Sequence, residues 1–271
     1  MLLILTGSVQ IGKTRWLQQC VSRLEEAGVA CHGVLAPGTW KETDRGLEKT
    51  GIDNLLLPSH EVVPFARRND LAKRDGAFDP NSQAARANLR WHISDDAVAR
   101  VNAHFARLRR ANEHTISESR TRGRGESAAS CAAYGSLAPD RSREHGGSHP
   151  WRDAPEADGI RPASSRAEES AATRPGTEEP HAVLFVDELG QLELLREEGL
   201  TEAMALLAQG PQGIYRHAVV VARDAFGLPD RAANLFAEAW GGSREIGPAE
   251  KAWQTWLAPL IRQKHDDNRP S

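Results

Sequence analysis

Leu2-Leu3-Ile4-Leu5-Thr6-Gly7-Ser8-Val9-Gln10-Ile11-Gly12-Lys13-Thr14 is the stretch that decides how the rest of the chain is read. The unbroken apolar run Leu2–Leu5 suits a strand buried on both faces, as in a parallel sheet. Beyond it, Trp16, Leu17, Cys20, Val21 and Leu24 recur at helical spacing over Lys13–Ala27, and Gly28 stands as the stop. The opening unit is therefore strand, loop, helix. Its loop, Gly7-Ser8-Val9-Gln10-Ile11-Gly12-Lys13-Thr14, matches the phosphate-loop pattern G-x-x-x-x-G-K-[ST]. A polyphosphate is highly anionic, and a loop that wraps it must present many backbone N–H groups at once. In such a loop the Lys13 ammonium reaches the β/γ-phosphates and the Thr14 hydroxyl ligates Mg²⁺. The following helix adds its positive N-terminal dipole.

Further along, Val29–Leu35 resumes as a strand. Pro37-Gly38 then marks a turn, and 40–67 reads as a β-meander added to the sheet edge, with strands Lys41–Lys49, Ile52–Leu57 and Glu61–Phe65. Thr50-Gly51 and Pro58-Ser59-His60 are the expected turns. Ser94 caps a helix whose first turn carries Asp95 and Asp96. Its apolar stripe is Ala97, Val98, Val101, Phe105 and Leu108, and its expected end lies near Arg110.

From 116 to 180 the composition is Ser, Ala, Gly, Pro, Arg and Glu, with Ile116, Leu137 and Ile160 as its large aliphatics. Ordering costs about 1–2 kcal/mol per residue, and burial returns about 25 cal/mol per Å² of apolar surface. A stretch this poor in apolar side chains is expected to be a disordered insertion. The expected organisation is a core in two parts, 1–115 and 181–263, with the insertion between them and a disordered tail at 264–271. The second part holds strands at Ala182–Val186, Ala218–Ala222 and Ser243–Ile246. Its helices are expected at Gly199–Gln209, Arg231–Trp240 and Ala249–Gln263, the last interrupted by Pro259. Alternating strands and helices predict an α/β fold.

The strand from Ala182 ends in Asp187-Glu188. A buried strand delivering a carboxylate to the C-terminal edge of a parallel sheet is what a second phosphate-site element requires. Asp187 would hold Mg²⁺, largely through water. Glu188 would orient or deprotonate an attacking water.

Gly7–Thr14 together with Asp187-Glu188-Leu189-Gly190-Gln191-Leu192-Glu193-Leu194 resembles the small P-loop nucleoside-triphosphatase family described from thermophiles, which has a cancer-related human relative. Gly33-Val34-Leu35 and Asp44-Arg45-Gly46-Leu47 resemble its strand and its Arg-Gly meander. Leu189 and Leu192 stand where that family has Ile and Met, a volume-conserving exchange. The resemblance covers about 1–112 and 181–262. It implies a P-loop NTPase three-layer sandwich with a mostly parallel sheet, and Mg²⁺-dependent hydrolysis of ATP, GTP and other NTPs to NDP and phosphate. Carried over, Lys13 and Thr14 bind phosphates and Mg²⁺, Asp187 supports Mg²⁺, and Glu188 is the catalytic base.

Arg223, just after the strand Ala218–Ala222, is a candidate arginine finger, and Arg45 could also serve the nucleotide. Glu193 reads equally as a helix-start residue. Two other functions share the loop. One is a nucleotide or small-molecule kinase, for which Arg67, Arg68 and Arg74 could furnish a lid. The other is a non-enzymatic, nucleotide-responsive accessory protein. No Asn-Lys-x-Asp motif for guanine is present.

The 271 residues are 39% hydrophobic and 26% charged, with a formal net charge of −3, which gives no general attraction to nucleic acid or anionic membranes. The insertion's Arg120, Arg122, Arg124, Arg141, Arg143 and Arg152 have few aromatic neighbours for base stacking, so a nucleic-acid partner is not expected. Nothing in the sequence identifies a protein partner. Cys20, Cys31 and Cys131 form no metal spacing, and His92, His104 and His217 have no partner at metal distance. Reduced core thiols and the lack of a membrane-length apolar run lead to the expectation of a soluble, cytoplasmic protein.

Overall fold

The computed structural model describes residues 1–44, 46–133 and 181–261, with side chains described outside 122–133. The chain divides into two units, Met1–Thr121 with Glu179–Ser271, and Arg122–Glu178. The first carries the sheet and the candidate site.

Alternation along the first strand shows how that unit is layered. In β1 (Leu2–Leu5), Leu2 and Ile4 enter one apolar core while Leu3 and Leu5 enter the other. The same division runs along β7 (Ala182–Leu189), where Leu184 and Val186 face one core and Val183 and Phe185 the other. A sheet apolar on both faces must be covered on both. Helix α1 (Lys13–Glu26) packs Trp16, Leu17, Cys20, Val21 and Leu24 into one core, together with Trp253, Leu257 and Leu260 from the C-terminal helix. Helices α4 (Asp95–Ala133), α6 (Thr201–Ala208) and α7 (Leu228–Phe236) supply Phe105, Leu206, Leu207 and Phe236 to the other. The result is a mixed α/β fold around a nine-stranded sheet.

One block of the sheet is parallel. Strands β2 (Ala30–Leu35), β7, β8 (Tyr215–Ala222), β1 and β9 (Ser243–Ile246) lie side by side in that order. Antiparallel pairing extends it from β2 through β4 (Gly46–Leu57), β5 (Glu61–Arg68) and β6 (Trp91–Ile93), with β3 (Gly38–Thr43) paired to β4. β8 lies between β1 and β7, so the segments leaving all three strands emerge at one edge, side by side.

The meander differs in detail from its expectation. The chain reverses at Gly46 (φ 104°), inside the anticipated strand Lys41–Lys49. Thr50-Gly51, expected as a turn, lies within the twelve-residue strand β4. Gly51 is there because its neighbours come close: an added Cβ would stand 2.6 Å from Thr39 Oγ1 and 2.9 Å from the Ala66 carbonyl oxygen. Register shifts flank it at Thr39/Trp40 and Ile52/Asp53. The interval 69–93, unassigned from the sequence, holds α2 (Asn69–Arg74), α3 (Gln83–Arg86) and β6.

Helix α4 is also longer than expected and continues to Ala133, past both the expected end near Arg110 and the expected insertion start at 116. Low apolar content argued against burial there, but it does not argue against helix. The stretch carries Ala, Arg and Glu among its Ser and Gly, and it is free of proline. Asn112 anchors the helix beyond Arg110, its Nδ2 donating to Gln209 Oε1 (2.8 Å) and its Oδ1 accepting from the Ile214 amide (2.8 Å). The remainder of the expected insertion, 134–180, and the expected tail lie outside the described residues. In the C-terminal helix the turn Trp253–Leu257 widens to π geometry just before Pro259, which has no amide to donate.

Among the described residues, no helix is long and apolar enough to cross a membrane. Cys20 and Cys31 are buried free thiols, and burial pushes both up to about 12.

Gly33 marks where β2 and β7 come closest. It sits at φ 111°, and an added Cβ would stand 1.9 Å from the Phe185 carbonyl oxygen. Gly33→Ala should therefore lower the unfolding free energy by about 2 kcal/mol or more in urea titration. A loss below about 0.5 kcal/mol, the size of a neutral surface change, would contradict this packing.

Candidate functional site

The loop Gly7–Thr14 leaves β1 and turns into α1 through Gly12, whose φ of 95° is left-handed backbone. Gln10 adopts φ 67° without being glycine. Val9 and Ile11, at 65% and 47% exposure, hold the loop's apolar side chains outward. The first turn of α1 carries no carboxylate, so nothing on the helix itself neutralises its N-terminal dipole. The Lys13 ammonium donates to the carbonyl oxygens of Gly7 (2.7 Å) and Ser8 (2.8 Å), which holds it under the loop at 9% exposure. Burial pushes its pKa down, Arg223 adds to that, and Glu188, Asp187 and Asp224 oppose it.

Thr14 and Asp187 are 173 residues apart in sequence, yet the Thr14 hydroxyl stands close enough to the Asp187 carboxyl to lower its pKa. Asp187 is 4% exposed, and its Oδ2 also accepts from the Ala36 amide (2.8 Å) at the end of β2. Burial dominates its titration and pushes the carboxyl up to about 6. The Ala36 amide, the Thr14 hydroxyl and Lys49 pull it back down, while Glu188 pushes further up.

Glu188 follows at φ 81°, where the β7–β8 ladder is broken between Val186 and Leu189. A bulge of this kind redirects a side chain at a strand end, and left-handed backbone in a residue with a long side chain is strained. Its carboxylate pairs with the Arg223 guanidinium. Arg223 leaves β8, the strand between β1 and β7, and is thereby brought to Lys13 and Glu188 together; its partner is Glu188, not the adjacent Asp224.

Lys49, on β4, was not singled out from the sequence. Burial lowers its pKa, Glu188 and Asp187 raise it, and Arg223 lowers it, so it stands within electrostatic reach of the same group. Its ammonium lies 5.5 Å from the centre of the Trp91 ring. Nothing in the sequence marks it, since Lys49 lies between Glu48 and Asp53 in a strand of mixed character.

Other candidates lie elsewhere or serve the fold. Arg67 pairs with Asp75, Arg68 with Asp70 and Glu48, and Arg74 with Asp75, so all three proposed lid arginines are engaged within the meander and α2. Glu193 is buried and clamps the backbone: its carboxylate accepts from the amides of Gly190 (2.9 Å) and Leu200 (3.1 Å). His104 Nε2 hydrogen-bonds the Gly33 carbonyl oxygen (3.1 Å), and burial lowers His217 to about 4. Arg45 and the side chains of Arg122, Arg124, Arg141, Arg143 and Arg152 lie outside the described residues.

Among the described residues, no group of three or more His, Cys, Asp or Glu is disposed to hold a metal. A hydroxyl in contact with one buried carboxylate does fit Mg²⁺, which takes few protein ligands and keeps phosphate oxygens and water for the rest.

No protein-family model and no curated protein matches the chain. A solved structure similar to it is the solution structure of a human cancer-related nucleoside triphosphatase, with a TM-score of 0.46 and 13% identity over 99% of this chain and 98% of that one. A likeness of that size carries no functional argument, which rests instead on the residues gathered at the sheet edge.

The raised pKa of Asp187 has a consequence for stability. Folding favours the protonated form, so this group's contribution is full below about pH 4 and is lost as the pH rises through about 6. Without divalent cation, Asp187→Asn should remove that loss and stabilise the protein at pH 7 by on the order of 3 kcal/mol. Thermal melts of both proteins between pH 4 and pH 7 measure it. Parallel pH profiles would show that Asp187 ionises as it does in water.

Proposed function

We propose that the chain is a Mg²⁺-dependent nucleoside triphosphatase that hydrolyses ATP, GTP and other NTPs to NDP and phosphate. The observation that carries this reading is the approach of the Thr14 hydroxyl to the buried Asp187 carboxyl at the edge shared by β1, β8 and β7. It joins a phosphate loop to the carboxylate of a distant strand, the pair that a magnesium nucleotide requires.

In this reading the backbone N–H groups from Gly7 to Gly12 and the Lys13 ammonium hold the β- and γ-phosphates. The Lys13 bonds to Gly7 and Ser8 brace the loop from beneath. Thr14 and Asp187 would hold Mg²⁺, whose chemistry is to neutralise charge on the phosphate oxygens. Glu188 accepts the proton of the attacking water, and Arg223 answers the charge that builds on the transferred group.

The pair Glu188–Arg223 links these last two roles. A γ-phosphate competes with Glu188 for the guanidinium. Once Arg223 turns to the phosphate, the carboxylate is released toward water. Lys49 adds a second cation that the phosphate loop does not supply. Strand order supports phosphoryl chemistry here, because β8 between the two site strands brings an arginine to the carboxylate and the loop at once.

Phosphate release from MgATP and MgGTP should fall by about 100-fold or more in Lys13→Ala and in Glu188→Gln. The Glu188 variant should still bind MgATP. Undiminished turnover by Glu188→Gln would remove that residue from the role given to it.

A further inference from the structure

A cavity of about 580 Å³ adjoins the charged group and shares Val9, Asp187, Glu188 and Arg223 with it. Its remaining walls are mainly apolar, among them Ile52, Phe65, Leu89, Trp91, Leu200 and Phe226. Water alone needs no such chamber, and the volume lies in the range of small-molecule sites. Asn54 also lines it. That side chain is 1% exposed, and its Oδ1 has no hydrogen-bond partner. A buried acceptor without a donor costs about 1–3 kcal/mol, so Asn54 is a polar group placed on an apolar wall at a net loss to the fold. Backbone strain gathers here as well. Of the six non-glycine residues at positive φ among the described residues, Asn88, Glu188 and Phe226 line this cavity.

These features specify an occupant. Three aromatic side chains suit a flat ring. Asn54 Oδ1 calls for an N–H or O–H donor. Apart from Arg90, and Glu193 whose carboxylate is taken up by the Gly190 and Leu200 amides, the remaining walls carry no charge and disfavour a net charge on the occupant, while Glu188 at the shared side suits a hydroxyl that gives up its proton. We propose that the cavity is a second-substrate site, taking a neutral aromatic alcohol of nucleoside size as acceptor of the γ-phosphoryl group.

The transfer rests on the nucleotide-binding reading given above, with an alcohol in the place of water. The hydroxyl oxygen of the acceptor forms the new bond to the γ-phosphorus. The bond from that phosphorus to the β–γ bridging oxygen breaks, and the nucleoside diphosphate leaves with the electron pair. The hydroxyl proton passes to Glu188. Hydrolysis is then the reaction that water undergoes when the cavity holds no alcohol.

Adenosine and cytidine carry ring-amine donors and a primary hydroxyl, and they serve as probes. Calorimetry of each nucleoside with the full chain, without nucleotide, should show binding, and Asn54→Leu should weaken it by about tenfold or more. Ala87→Phe, which fills the cavity from a half-buried wall position, should do the same by a route that leaves Asn54 in place. Both variants should hydrolyse MgATP like the parent. With γ-labelled MgATP, label should appear in the nucleoside monophosphate in the parent and be lost in both variants. No binding of either nucleoside, or binding with all label released as free phosphate, would overturn the proposal while leaving hydrolysis standing. A chain that binds nucleoside yet turns over no nucleotide would contradict the hydrolase reading and, with it, the acceptor role.

Discussion

The approach of the Thr14 hydroxyl to the buried carboxyl of Asp187 is the juxtaposition on which the site depends. Neither residue is informative alone. A threonine at the start of a helix is ordinary, and an aspartate at a strand end is usually solvated. Brought together by the sheet, they place a hydroxyl against a carboxyl that burial holds near neutrality at about pH 6. Such a carboxyl is poorly stabilised as an anion by the protein around it. A divalent cation would supply the missing stabilisation, which ties the fold's local cost to the chemistry proposed for it.

The sheet order makes that contact possible. β1 carries the loop, β7 carries Asp187 and Glu188, and β8 between them carries Arg223. Two cations and two carboxylates thus meet at one edge, where Arg223, Glu188 and Asp187 act on the Lys13 ammonium and Glu188 acts on the Asp187 carboxyl. Lys49 reaches the same group from the antiparallel side of the sheet. The meander is therefore more than an edge extension: its β4 contributes charge to the group at the sheet edge and Asn54 to the neighbouring cavity.

Much of this was readable from the residues, for physical reasons that differ by element. The loop was legible because its requirements are local: glycine backbone, a lysine and a hydroxyl in consecutive positions. β7 was legible because a strand buried on both faces leaves an unbroken apolar run. Helix α1 announced itself through five apolar side chains at helical spacing. The partners of the charged group were not legible, since the pairing of Arg223 with Glu188 and the reach of Lys49 depend on strand order. Thr50-Gly51 misled because a glycine at a close approach between strands looks the same in sequence as a glycine in a turn. The extension of α4 is not legible in the sequence because poverty in apolar residues forbids burial but leaves helix open.

Coupling between Thr14 and Asp187 in nucleotide binding tests the central claim most directly. The dissociation constant of MgATP would be measured for the parent, for Thr14→Ala, for Asp187→Asn and for the double variant. If the two side chains hold one ion between them, the second substitution costs little once the first is made, and the cycle shows a coupling of about 1 kcal/mol or more. Losses that simply add would mean that the two residues act independently, and would contradict the site described here.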